Sequence, residues 1–145
     1  LKILIIVALL ACIVCGYFFY QGMQSGKQAP PAISGATLAV CGAKPNCVSS
    51  LQDPADDHFI DAIELGNRGA APEVIAAIEA LGGEIIGNEG SFIQATFTSG
   101  LFRFVDDLSV QIDGSTLQVR SSSRVGHSDL GANRKRVEQL RKELF

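Results

Sequence analysis

Cys41 and Cys47 flank Gly-Ala-Lys-Pro-Asn, a turn-forming stretch able to bring two sulfurs together. In an outward-facing compartment such a pair can form a disulfide, although spacing alone leaves the required geometry open. The alternative is a two-Cys metal site. It is poor in ligands, because His58 is the nearest imidazole and one His completes no zinc set. Asp56, Asp57 and His58 could also gather a metal, but an exposed acidic turn is the commoner fate of such a cluster, so no metal site is assigned. The remaining reactive types lie late in the chain. Asp106 and Asp107 are adjacent carboxylates, Arg120, Arg124 and Arg134 are cations able to hold a phosphate or carboxylate, and Ser121, His127 and Asp129 are the types of a nucleophilic triad. Triads are recognised by geometry, and these three have no ordered spacing to recommend them. With no phosphate-binding glycine motif, paired-His metalloprotease motif or nucleophile elbow, no catalytic residue and no cofactor is assigned.

Charge is distributed unevenly. From Asp53 to Asp113 twelve acids stand against Arg68 and Arg103, whereas after Gly114 seven Arg or Lys stand against three acids. The basic end reads as a solvated helix face with internal ion pairs to the acidic middle, ahead of a phosphate or anionic-lipid contact. The net charge of −3 and the apolar N-terminus disfavour nucleic acid as a partner.

That N-terminus decides where these groups work. Ile3 to Tyr20 is an uncharged, mostly apolar run whose helical length of roughly 27 Å matches a bilayer's hydrocarbon core, with Tyr17 and Tyr20 at the interface end. A cleaved signal peptide is the rival reading, but the run is long and no small-x-small site follows Tyr20. Leu9-Leu10-Ala11-Cys12 loosely resembles a lipobox, and the apolar residues continuing after Cys12 argue against it. Lys2 before the span favours a cytoplasmic N-terminus, which puts the remainder outside. The expected organisation is a membrane anchor over 1–20, a flexible linker over 21–39 and a soluble domain over 40–145. Gly22, Gly26, Pro30 and Pro31 mark the linker, a tether holding the domain off the bilayer.

Within the domain, Val40 to Leu51 reads as a loop and His58 to Leu65 as a short extended segment. Pro72 opens an amphipathic helix with Val74, Ile75, Ile78 and Leu81 on one stripe, closed by Gly82-Gly83. Glu84 to Ile86 forms a strand before a turn at Asn88-Glu89-Gly90, and Ile93, Ala95 and Phe97 alternate with polar residues as in a half-buried strand. The next two strands meet at Asp113-Gly114, a hairpin signal. Pairing Ile112 with Ser115 sets Val110 across from Leu117, Leu108 from Val119, Asp107 from Arg120 and Asp106 from Ser121. The Asp107–Arg120 pair then supports the register from an exposed face. Asp106 has the apolar parity of Leu108 and Val110, a costly place for a carboxylate unless a hydroxyl, such as that of Ser121, or a β-bulge relieves it. Arg103 would face Arg124, so the ladder should end or bulge there.

Three segments carry a family likeness: Pro45-Asn-Cys-Val-Ser-Ser50, Phe104-Val-Asp-Asp107, and Val119-Arg-Ser-Ser-Ser-Arg-Val-Gly-His-Ser-Asp-Leu-Gly-Ala-Asn-Arg-Lys-Arg-Val-Glu138. From Cys41 onward the chain resembles the family called domain of unknown function 1499. The resemblance implies a small bacterial domain, often membrane-anchored or exported, with no agreed activity and therefore no catalytic residue to carry over. Its motif positions here are Asn46, Cys47, Asp106, Asp107, Arg120, Ser121, Arg124, Ser128, Asp129 and Asn133, while Gly42 and His127 depart from the usual pattern.

Physically, Ser128, Asp129 and Asn133 are types that accept from free N–H groups at a helix start, so this loop should cap a last helix. Val137, Leu140 and Leu144 would face the sheet, and Arg134, Lys135, Arg141 and Lys142 mostly away. Alternatively, that helix start with Arg120, Arg124 and Arg134 holds an anion. The expected fold is α+β: one transmembrane helix, then a small antiparallel sheet packed against two helices. The expected function is a non-enzymatic accessory or interaction domain on the bacterial cytoplasmic membrane, facing the periplasm and docking on an integral membrane protein complex. A lipid or small-anion binding module is the first alternative, and an enzyme using Asp106 or the Cys41/Cys47 pair the second.

Overall fold

Alternating apolar and polar residues from Phe92 to Ser123 build the centre of an antiparallel sheet. The computed structural model describes residues 1–31, 37–66 and 70–145. In chain order the elements are α1 (Lys2–Lys27), β1 (Cys47–Ser49), β2 (Ile63–Glu64), α2 (Ala71–Ala80), β3 (Glu84–Glu89), β4 (Phe92–Thr98), β5 (Val105–Asp113), β6 (Thr116–Ser123) and α3 (Ala132–Glu143). The sheet runs β1-β6-β5-β4-β3, and β2 pairs with the other end of β6. The fold is α+β as expected: an apolar N-terminal helix, six antiparallel strands and two further helices.

One sheet face is the core. Ile93, Ala95, Leu108, Val110, Leu117 and Val119 point to α2 and α3, which answer with Val74, Ala77 and Ile78 and with Val137, Leu140 and Leu144. Burying each such Val, Leu or Ile contributes about 1.5–3 kcal/mol, which is what holds two short helices on the sheet. Pro72 lies in the first turn of α2, where its missing N–H costs nothing.

The β5–β6 hairpin turns one residue later than Asp113-Gly114 suggests. Asp113 pairs with Thr116, leaving Gly114 and Ser115 as the two-residue loop, and Gly114 takes the positive φ of 59° that this tight turn requires. Every partner on β6 therefore shifts by two, an even step that leaves both faces unchanged. Asp106 now faces Ser123, not Ser121; Asp107 faces Ser122, and Arg120 faces Ser109. The ladder ends at Val105 and Ser123, short of Arg103 and Arg124 as expected, but the shifted register no longer sets those two cations opposite each other: the Arg124 N–H donates to the Val105 carbonyl. A second correction concerns Val40 to Leu51, which contains β1 as well as loop. Three residues are too few to show a period, and Cys47, Val48 and Ser49 become a strand only by pairing with Ser122, Ser121 and Arg120.

The opposite sheet face is polar and meets the end of α1 at Ser25 and Gln28 and the chain beyond it at Pro31. The helix continues through Gln21 to Lys27, where tether composition is expected, because its last turns pack on the domain. Beyond it the Pro31 carbonyl accepts from Gln94 Nε2 at 3.1 Å, Leu38 is buried, and Cys41 is bonded to Cys47. Residues 32–36 of the expected linker lie outside the described residues.

Candidate functional site

The motif residues form two polar networks, one on each side of the sheet. On the helix side the hub is Asn133, wholly buried in the first turn of α3. Its Oδ1 accepts from Ser121 Oγ at 2.6 Å and from Arg136 Nη1 at 2.6 Å. Its Nδ2 donates towards Asp129 Oδ2 at 2.7 Å, Ser123 Oγ at 3.0 Å and the Asn46 carbonyl at 3.1 Å, three acceptors for two hydrogens. Asn46 in turn donates to the Gly126 carbonyl. One amide thus joins the disulfide loop, the end of β6 and the loop before α3.

Asp106 belongs to this network. Its parity does carry it to the core side, without a bulge, and its relief comes from Arg136, whose Nη2 donates to Asp106 Oδ2 at 2.6 Å. The same guanidinium lies 4.6 Å from the centre of the Phe97 ring and donates to Ser121 Oγ. Arg136 is absent from the candidate residues read from sequence. The signal that could have found it was Asp106 itself, since an acid on an apolar face demands a cation from whatever element covers it.

On the other side Asp107 is 2% exposed and is gripped by Arg124 through two bonds, Nη2 to Oδ1 at 2.7 Å and Nε to Oδ2 at 2.9 Å. Arg124 Nη1 also donates to the carbonyls of Gln28 at 2.5 Å and Ser25 at 3.4 Å, so the pair reaches the end of α1. Ser25 is fully buried there, its hydroxyl accepting from the Val105 N–H at 2.9 Å. The expected exposed pair of Asp107 with Arg120 does not form. Arg120 Nη1 donates to Ser122 Oγ, and its buried Nε has no partner among the described residues. Burial pushes the Arg120 pKa down from the ordinary value, while Asp107 opposes the shift.

The candidate anion site is not assembled. Arg120 and Arg124 share the polar face of the sheet, whereas Arg134 rides on α3 across it and donates to the carbonyls of Asp57 and Phe59. Capping at α3 falls to Asp129, which accepts from the Gly131 and Asn133 N–H groups, while Ser128 accepts from Leu130. Asn133 is the exception to the expected cap trio: as the second residue of α3 it lies inside the helix, and its side chain serves the network. Ser121 and Asp129 meet at Asn133 and, among the described residues, not at His127. Cys41 and Cys47 are joined, with Cα atoms 5.7 Å apart.

Asp56 and His58 close a turn beside this region. His58 Nδ1 lies 2.6 Å from Asp56 Oδ1 and Nε2 3.0 Å from the Lys44 carbonyl. A cleft of about 410 Å³ lies between the disulfide loop and α3, lined by His58, His127, Asp129 and Arg134 among others. A second, of about 340 Å³, lies where Phe18 of α1 meets Phe104 and Leu130.

A comparison with curated proteins found no relative. The family model described as "Protein of unknown function (DUF1499)" matches residues 37–144. That span holds the whole sheet, both packed helices and both polar networks up to their contacts with α1, and the chain belongs to the DUF1499 family.

Proposed function

We propose that this chain is a membrane-anchored, non-enzymatic accessory domain that docks on an integral membrane protein complex. The observation that carries the reading is the junction between α1 and the domain. Ser25, buried against Val105, and the Arg124 bonds to Ser25 and Gln28 fix the domain in one posture on its anchor. A fixed posture suits a docking module, because it presents the same face to a neighbour in the membrane. The motif polar groups favour the same reading, since they bond to one another and leave no activated nucleophile. α1 is long and apolar enough to span a membrane or to act as a signal sequence, and we read it as a single-pass anchor.

The domain sits on the outer side of the bacterial cytoplasmic membrane, in the periplasm. Lys2 ahead of the span supports this orientation, and so does the Cys41–Cys47 bond, which suits an oxidising compartment. The small-anion alternative loses its main support, because the sheet separates the cations it needs.

The test is to crosslink native membranes, extract the tagged full-length protein in mild detergent and identify copurifying proteins and lipids by mass spectrometry. A stoichiometric membrane-protein partner is expected. A protein that migrates alone overturns the reading.

A further inference from the structure

Two loops from distant parts of the domain present exposed leucines beside the same stretch of α1. In the first, Ser99 to Phe104, Leu101 is 75% exposed and lines a groove with Cys15, Gly16 and Phe19. Its neighbour Phe102 packs against Phe18 at a tilt, with ring centres 5.5 Å apart, and its carbonyl lies so close to Gly22 that a side chain there would collide. In the second loop Leu130 is 96% exposed and lines the cleft that contains Phe18. Each loop holds a non-glycine residue in the left-handed region, Arg103 at φ 61° and Leu130 at φ 54°. Such residues seldom adopt this conformation, and it persists where the surroundings impose it.

Depth along α1 gives these leucines a meaning. The apolar run ends at Tyr20, and Cys15 lies about 7.5 Å further in at the helical rise. Leu101 touches the groove at Cys15 to Phe19, so it sits below the level where the run ends. If α1 spans the bilayer, that level is hydrocarbon. We propose that Leu101, Phe102 and Leu130 are sunk into the outer leaflet beside α1, so that the domain rests on the bilayer and its occupant at this face is lipid acyl chain. The inference rests on reading α1 as a membrane span. Continuity with the span selects lipid over water, since the same solvent surrounds Cys15 and Phe19. The exposed Arg103, between Phe102 and Phe104, is placed to meet headgroup phosphates.

The chain contains no Trp, so single Trp substitutions are clean depth reporters. The full-length protein would be reconstituted into phosphatidylcholine vesicles carrying bromine either high or low on the acyl chains. L101W and L130W report the proposed contact, and I6W reports α1 itself. S115W reports the hairpin tip, about 26 Å along β5 from Val105. L101W and L130W should emit blue-shifted and lose about half or more of their emission to the high-placed bromines, with S115W unaffected. I6W should be quenched as well. If I6W is quenched while L101W and L130W stay red-shifted and unquenched, this inference falls and the anchor stands. If I6W is also unquenched, both fall. Because these vesicles contain no other protein, protection seen only in native membranes assigns the face to a protein partner and likewise overturns the proposal.

Discussion

Arg124 grips Asp107 with two bonds of 2.7 and 2.9 Å at the place where the sheet meets the end of α1. Both side chains are buried, at 9% and 3% exposed, so neither charge can turn to water if its partner is lost. Removing one partner of a buried pair costs about 3–5 kcal/mol. D107N and R124Q should each destabilise by that amount in urea unfolding of the detergent-solubilised full chain. R124K should recover little, because an ammonium cannot reproduce the two-bond fork. The double variant D107A/R124A should cost clearly less than the sum of the singles.

Asn133 holds five side-chain contacts with one amide, and its loss strands several buried groups together. N133A leaves Ser121, Ser123 and Arg136 short of partners, at about 1–3 kcal/mol for each group unsatisfied. Asn133→Asp keeps the shape but sets a carboxylate 2.7 Å from Asp129 Oδ2 in place of a donor. The carboxylate should be at least as damaging as alanine. Thermal unfolding of the two variants checks the order, and a fully stable N133D would refute the donor roles assigned to Nδ2.

Glycine at position 22 lets α1 approach the Phe102 carbonyl, whereas Gly16 has open space around it. G22A should therefore loosen the junction, and G16A should not. A cysteine pair placed across α1 and the Ser99 to Phe104 loop, in a background lacking the native free thiols Cys12 and Cys15, reads this out. Its crosslinking should drop in G22A and be unchanged in G16A.

These predictions mix features that the sequence discloses with features it hides. The Val137, Leu140 and Leu144 stripe was readable because helical spacing is local, and all three residues are buried as expected. The hairpin register slipped by two because Asp113-Gly114 and Gly114-Ser115 are both plausible turns; the even step hid the error from the face pattern. β1 exists only through its partner strand. Arg136 and the junction at Ser25 depend on contacts between residues 30 and 80 positions apart, which no local periodicity records. The motif residues were legible as a set, yet their division between two faces of the sheet follows from register, so the supposed anion site could not be judged before the strands were paired.

The disulfide closes a short loop around Asn46, whose carbonyl is an Asn133 partner. Opening such a loop costs about 2 kcal/mol by chain entropy. The unreduced, unfolded protein should take up maleimide at two thiols, Cys12 and Cys15, and the reduced protein at all four cysteines. C41A/C47A should lower the unfolding midpoint without abolishing the fold.

The Asp56–His58 turn gives a pH dependence with a definite sign. Asp56 is lowered from 3.8 to about 2, chiefly because the His58 backbone N–H donates to it, with Gln52 and the His58 ring adding. His58 is raised from 6.5, chiefly by its ring bond to Asp56, with the Lys44 carbonyl helping. Only the protonated ring can donate to both acceptors, since a neutral imidazole has one N–H. A depressed acid contributes stability above its unfolded pKa of 3.8 and loses it as pH falls towards 2. A raised His contributes fully below 6.5 and loses it as pH climbs through its folded value. The turn should thus be tightest between these limits and loosen on the alkaline side, releasing the Lys44 carbonyl of the disulfide loop. Titration of the His58 ring by NMR should show a midpoint above 6.5 that falls back in D56N; an unchanged midpoint in that variant would show that Asp56 is not the cause.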